Sequence, residues 1–343
     1  MSGKLKPIEV ITLNETDQSM SPPRFINQKG GELPTQATQF IWTNLFDGVS
    51  DKPSWYVRAF YPGAPSSRKI VSLGDDMNSP HTVLPITNKL PVGGKCIFST
   101  VQGDPEEMSD DKQTYEVRLE GVDDFLLRYS SKMAHIIDGD VVDLRLKYFP
   151  NSIVLTEESA ARVPYLLTFA EAEGMVDGKY YKGMGGSEQA FFYPSEAAGL
   201  SAYEVPPMLT FHLLGALEDG RTEYAFIQIF DKDRGSLGVY WREGEGYEIT
   251  DDVKFRAEWK KVDFVNDGTV SLVKADFKLG SKTIHYTTEY GFRGLDDPFK
   301  APRGLYNAQG TYYVGDKPYK VYPLKASYES QHFTEDFIIP NSF

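Results

Sequence analysis

From about residue 39 onward, apolar and polar side chains alternate over short segments separated by turn residues, the period-2 signature of β-strands. Tyr115-Glu116-Val117-Arg118-Leu119-Glu120 and Val141-Val142-Asp143-Leu144-Arg145-Leu146-Lys147-Tyr148 each place apolar residues on one face and charges on the other. Such strands predict antiparallel sheet that is wet on one side. Turn chemistry predicts hairpins at Phe264–Val270, around Asn266-Asp267-Gly268, at Leu279-Gly280-Ser281-Lys282, and at Tyr313–Tyr319. Tyr224-Ala225-Phe226-Ile227-Gln228-Ile229-Phe230 is apolar on both faces, so both must be covered, as in a closed barrel or beneath a second sheet. Only Thr156–Arg162 has a helical composition, and no strand–helix–strand alternation occurs, which excludes nucleotide-binding α/β folds.

These patterns predict an all-β chain of two packed antiparallel domains. Residues 1–38, rich in Pro and Gly and without period, are expected as an extended arm. A boundary is expected at about 155–165, giving a first β domain over 39–160 and a second over 161–343.

Composition narrows the function. Aromatics make up 13% of the 343 residues, with 21 Tyr and 21 Phe, a bias that suits pleated, half-buried surfaces. The net charge of −13 argues against nucleic acid and against an anionic membrane surface as partners. Cys96 is the only cysteine, so no internal disulfide and no Cys-x-x-Cys metal motif exist. No run of eighteen apolar residues suggests a membrane span. The first twenty residues lack an apolar signal core, so the chain as it stands is expected to be cytoplasmic; a secreted or vesicular chain whose signal had been removed would look the same. Asn14-Glu15-Thr16 is a glycosylation triplet that such a compartment would expose to modification.

The usual catalytic signatures are missing: no Gly-x-Ser-x-Gly, His-Glu-x-x-His or phosphate-binding loop is present. Lys182-Gly183-Met184-Gly185-Gly186-Ser187 is read as a glycine turn and not as a phosphate cradle. Histidines at 81, 135, 212, 285 and 332 are far apart in sequence, and no metal or cofactor is expected. His212, within Leu209–Leu214, is either a pocket acid–base group or a satisfied core residue. In Tyr165–Met175, strand alternation puts Glu171 and Glu173 beside Tyr165, Leu167 and Phe169. The two carboxylates then sit roughly 6–7 Å apart on an apolar face, unless the strand leaves the core after Phe169 and both are wet. Gln228, Tyr240 and Trp241 bring an amide, a phenol and an indole among rings. That suits a pocket with a few aimed hydrogen bonds, and equally a core with satisfied polar tips.

Ile41-Trp42-Thr43-Asn44-Leu45-Phe46-Asp47-Gly48-Val49-Ser50-Asp51, followed by Trp55–Phe60, resembles the opening Trp-rich strand pair of the lipocalin-like hydratase superfamily. That superfamily includes carotenoid 1,2-hydratases, kievitone hydratase and fungal Diels–Alderases. The order of the segments Tyr115–Glu120, Asp140–Phe149, Val163–Gly174, Tyr224–Asp231 and Ser236–Arg242 is similar too. The resemblance implies a β-sandwich followed by a lipocalin-like barrel, with an apolar substrate at their junction. The hydratases carry His and Asp after the Gly turn, whereas this chain has Ser187-Glu188-Gln189-Ala190 there. Water addition needs a positioned acid, so the departure favours the pericyclic members, whose work is mostly shaping.

The expected activity is therefore a cofactor-independent [4+2] cyclization of a polyketide or terpenoid intermediate. The alternatives are hydration or dehydration of an isoprenoid-like alkene with Glu171, Glu173 or Glu188 as acid, and a non-catalytic carrier of an apolar ligand. The pocket is expected between the two halves, with Trp42 from the first and Glu171, Glu173, Glu188, His212, Gln228, Tyr240 and Trp241 from the second. The oligomeric state is left open.

Overall fold

The structure is a computed structural model. It describes residues 8–26, 30–48, 54–60, 68–72, 95–102, 113–156, 163–196, 208–217, 219–230, 235–261, 270–288, 303–314 and 325–331. Among these residues there is no α-helix, and every strand pairing is antiparallel. The all-β expectation holds.

The first of two compact units contains β1 (Ile8–Thr12), β2 (Thr35–Phe46), β3 (Ser54–Phe60), β4 (Arg68–Ser72), β5 (Cys96–Gln102), β6 (Gln113–Leu119), β7 (Val122–Tyr129), β8 (Met133–Asp138), β9 (Val142–Leu155), β10 (Tyr165–Val176) and β11 (Lys179–Phe192). They form one sheet in the order β4-β3-β2-β11-β10-β9-β8-β7-β6-β5, with β1 added on β9. In β9 the residues from Val142 to Tyr148 alternate buried and exposed as the sequence pattern predicts. Phe125, Leu127, Ile136, Leu144 and Leu146 fill the interior. Arg58 of β3 reaches Asp138 of β8 at 2.9 Å, and the Tyr56 hydroxyl donates to the same carboxylate at 3.0 Å. Those strands are five places apart in the sheet, so the contact requires the sheet to curl back on itself. Burying this pair costs desolvation, and removing either partner would strand the other charge at about 3–5 kcal/mol.

The second unit contains β12 (Met208–Ala216), β13 (Thr222–Phe230), β14 (Ser236–Arg242), β15 (Gly246–Thr250), β16 (Val253–Lys261), β17 (Val270–Leu279), β18 (Lys282–Thr288), β19 (Arg303–Val314) and β20 (Lys325–Gln331). Their order is β15-β14-β13-β12-β20-β19-β18-β17-β16. The two ends meet: the Ser236 hydroxyl donates to the Val253 carbonyl at 3.0 Å and accepts from its N–H at 2.9 Å. The curled sheet encloses Phe211, Leu213, Ile227, Phe255, Phe277 and Ile284, with Phe211 edge-on to Phe277 at 4.8 Å. All nine residues of β13 are buried, as its two apolar faces predict.

Two expectations on organisation need correction. β10 and β11, expected to open a second domain at residue 161, lie in the middle of the first sheet between β9 and β2. The chain divides between β11 and β12 instead. The described residues of the expected extended arm are also structured: β1 pairs with β9, and Ile8, Ile11, Leu13 and Phe25 are buried. Asn14 caps the turn that follows, accepting from the Thr16 and Asp17 N–H groups. The Leu279–Lys282 hairpin is present, with Gly280 at φ +50°. Residues 157–162 of the expected helix, 264–269 of the first expected hairpin and 315–319 of the third lie outside the described residues.

Candidate functional site

The β10–β11 hairpin turns on Asp177-Gly178, both at positive φ (48° and 75°), the backbone of a two-residue hairpin loop. That turn fixes the register: Glu188 lies opposite Leu167, Gly186 opposite Phe169, and Ala190 opposite Tyr165. On the other side of β11, Gly186 pairs with Trp42 of β2. One face of three strands therefore gathers Trp42, Tyr165, Phe169 and Glu188. The absence of a side chain at Gly186 is what lets the Trp42 ring lie there. A Cβ at that position would sit 2.3 Å from the Thr168 carbonyl oxygen and 2.8 Å from Trp42 Cζ2. Trp42 meets Phe169 edge-on at 6.0 Å.

Into this aromatic patch projects the partly exposed carboxyl of Glu188, which accepts a hydrogen bond from the Tyr165 hydroxyl at 2.6 Å. Burial pushes its pKa above the ordinary carboxylate range, while the Tyr165 hydroxyl and the Trp42 indole favour the charged form and draw it part of the way back. A carboxyl so placed can donate a proton, or a hydrogen bond from its neutral form, at a pH where an exposed glutamate cannot.

Glu171 and Glu173 do not join it. Both are exposed, and Glu173 accepts from the exposed Tyr180 hydroxyl. The side of β10 that carries them is covered from Leu167 to Phe169 and open beyond it, so the paired carboxylates expected on an apolar face stand in solvent.

In the second unit, the register β12-β13-β14 puts Thr210 opposite Gln228, His212 opposite Phe226, and Tyr224 opposite Trp241. These residues share the face of β13 turned away from the unit's core, and all are buried. His212 Nδ1 lies 2.6 Å from the Tyr224 hydroxyl, and its ring stands edge-on to Phe226 at 5.1 Å. The Gln228 amide donates to Thr210 Oγ1 at 3.2 Å. Burial pushes the pKa of His212 down to about 3, so the ring is neutral at ordinary pH and serves as a hydrogen-bonding group, not as a cationic acid. Tyr240 departs from expectation. It alternates with Trp241, so its ring enters the core, and its hydroxyl donates to the buried Glu223, which also accepts from Arg242 at 2.7 Å. That phenol is committed to a core ion pair.

Trp42, Glu188, His212, Gln228 and Trp241 thus lie on buried or half-buried faces, the first two in one unit and the rest in the other. The sequence reading missed Tyr165 and Tyr224 as polar handles. Each reads as one more ring on an apolar strand, and only the cross-strand register puts its hydroxyl against Glu188 or His212. Among the described residues, no three His, Cys, Asp or Glu side chains are gathered as a metal ion would require. No described helix is long and apolar enough to cross a membrane.

No family profile matches the chain, and no curated protein matches it. Several solved structures are similar. A Nitrosomonas europaea protein provisionally assigned as AttH is 13% identical over 91% of this chain and 96% of its own, with a TM-score of 0.42. CghA, solved with Sch210972, is 8% identical over 95% and 98%, with a TM-score of 0.45. Kievitone hydratase from Nectria haematococca, one of the proteins named in the sequence resemblance, is 10% identical over 88% and 90%, with a TM-score of 0.36.

Proposed function

We propose that the chain is an enzyme that folds and polarises an apolar small molecule: a cofactor-independent [4+2] cyclase, of Diels–Alderase or hetero-Diels–Alderase type, acting on a polyketide or terpenoid intermediate. The observation that carries this reading is Glu188, a carboxyl whose pKa is raised within the Trp42–Tyr165–Phe169 patch. The rings offer apolar surface on which a polyene can be held in its reactive conformer, which supplies part of the barrier as entropy already lost on binding. In its neutral form, which burial favours, Glu188 donates a hydrogen bond to a carbonyl on the electron-poor partner, an interaction that strengthens as charge builds there in the transition state.

The same raised pKa favours a second reading, hydration or dehydration of an alkene, in which Glu188 gives its proton to carbon and recovers one from the added water. The test separates the two. Purified protein is incubated with a linear polyene bearing a diene and an enone, and separately with an isoprenoid alkene in isotopically labelled water. A cyclase gives the cycloadduct faster than buffer does and as one diastereomer, and Glu188→Gln, whose amide still donates, costs less than about tenfold. A hydratase incorporates the label, and Glu188→Gln costs roughly 10²-fold or more. Saturable binding without turnover would leave a carrier. Turnover unchanged in both Trp42→Ala and Glu188→Ala would remove this patch from the chemistry.

A further inference from the structure

The aromatic patch around Glu188 is not uniformly accessible. Trp42, Asn44, Leu167, Phe169, Met184 and Ala190 share its face and are at most 5% exposed. Phe40, Val57, Tyr165 and Glu188 lie on the same face and are half-exposed. The register makes these four contiguous. Phe40 of β2 stands directly opposite Glu188 of β11, which puts their Cβ atoms about 4.5–5.5 Å apart. Val57 of β3, opposite Trp42, is the diagonal neighbour of Phe40, and Tyr165 reaches Glu188 from β10 on the other side. Trp42 and Phe169 meet edge-on, whereas Phe40 has no ring partner among the described residues. A molecule arriving from solvent therefore touches Phe40, Val57, Tyr165 and the carboxyl, while Trp42 and Phe169 are already covered.

The Tyr165 hydroxyl donates to Glu188 Oε2 at 2.6 Å, so the proton of the neutral acid is carried on Oε1. Phe40 and Tyr165 come from the strands on either side of β11, and two strand spacings separate those strands by about 10 Å. Two ring-to-ring contacts of about 4.5–5 Å each fill the same interval. A carbonyl compound whose oxygen reaches Glu188 then has a ring on each flank. A flat conjugated skeleton presents a π face to both rings. A saturated, puckered skeleton with the same oxygen keeps the hydrogen bond and loses the face contacts. A carboxylate ligand would set a second negative charge against Glu188, and two close acids resist ionising together.

We infer that Phe40 determines which substrates Glu188 can serve, selecting neutral carbonyl compounds conjugated with a flat π system over saturated ones. This rests on the reading of Glu188 as a hydrogen-bond donor to a substrate carbonyl. The experiment titrates the full chain with acetophenone, with cyclohexyl methyl ketone as its saturated counterpart, and with benzoate as an anion. It is read on the carbon-13 resonances of the Glu188 carboxyl and the Val57 methyl groups. Acetophenone should shift both saturably and bind at least about fivefold tighter than the saturated ketone, with benzoate weaker than either. Phe40→Leu should cut the preference below about twofold while keeping the affinity for the saturated ketone, and Phe40→Tyr, which restores a ring, should keep the preference. If Phe40→Leu does not fold, Phe40→Met carries the comparison. Equal affinity for the two ketones in wild type, or a preference that survives Phe40→Leu, would overturn the inference even in a protein that cyclises the polyene. Benzoate binding as tightly as acetophenone would overturn it too. A Phe40-dependent preference in a protein that cyclises nothing would uphold it and count against the cyclase reading alone.

Discussion

The two buried polar regions, around Glu188 in the first unit and around His212 in the second, use burial in opposite directions. Taking a group out of water penalises its charged form. Burial thus raises an acid and lowers a base, and in both regions it favours the neutral form of a group among rings. The difference lies in what stands next to each. Glu188 keeps two neighbours that stabilise its anion, so its proton is held but can be given up. For His212, desolvation alone accounts for the shift, and the neighbouring hydroxyl and rings supply no countercharge. The first region has the makings of a proton or hydrogen-bond donor, the second of a fixed polar wall.

The harshest way to break the comparison is at Gly186. Gly186→Ala drives a Cβ toward the Thr168 carbonyl and the Trp42 ring, and backbone cannot give as a side chain can. We expect a loss of about 3 kcal/mol, as for overpacking a tight core, together with loss of turnover. Urea denaturation and the polyene assay measure the two. The His212 region, in the other unit, should be unaffected.

A smaller effect separates the regions by pH. The folded pKa of His212 lies near 3 against 6.5 for a free histidine, so below 6.5 the unfolded chain binds a proton that the folded one refuses. Stability of the second unit should then fall by about 1.4 kcal/mol per pH unit between roughly 6.5 and 3. Glu188 has the opposite sign. Its raised value adds stability that is fully present below 4.5 and lost as pH rises through the folded pKa. Hydrogen-exchange protection of β12–β14, corrected for intrinsic rates, should lose its acid slope in His212→Gln. That of β10–β11 in Glu188→Gln should gain on wild type as pH rises from 4.5 to neutral. Slopes of the same sign in both regions would contradict this account.

Tyr165→Phe sharpens the Glu188 side alone. Removing a hydrogen bond that favours the anion should raise the carboxyl further, read as a shift in the carbon-13 titration of the Glu188 side chain. Smallest of all, Glu171→Gln and Glu173→Gln are surface changes and should move stability by less than about 0.5 kcal/mol and turnover not at all.

Strand existence was legible because alternation is a local property. β9 carries its pattern from Val142 to Tyr148, and β13, apolar throughout, is buried throughout. Sheet order was not legible. Nothing local to Thr35–Phe46 states that it pairs with Lys179–Phe192, and the break near residue 160 interrupts the pattern without interrupting the sheet. The site shows the same division. Period 2 correctly grouped Glu171 with Phe169, but whether a face is covered depends on which strands lie over it, and the cover ends between those two residues. Glu188 and Trp42 belong together only through the β2–β11 register, which no short-range signal encodes.

That register also sets a timetable for synthesis. When β2 leaves the ribosome, β3 follows within a few residues and can pair with one of its edges, while its other edge waits for β11. About 140 residues separate Trp42 from Gly186, which at about 5–20 residues per second is roughly 7 to 30 s of translation. Through that interval a long strand rich in aromatic and β-branched residues presents an open edge to the cell. The pairing that builds the Glu188 patch is therefore among the last the first unit can make. A nascent chain stalled before residue 179 should be the species that chaperones hold and that aggregates when they do not.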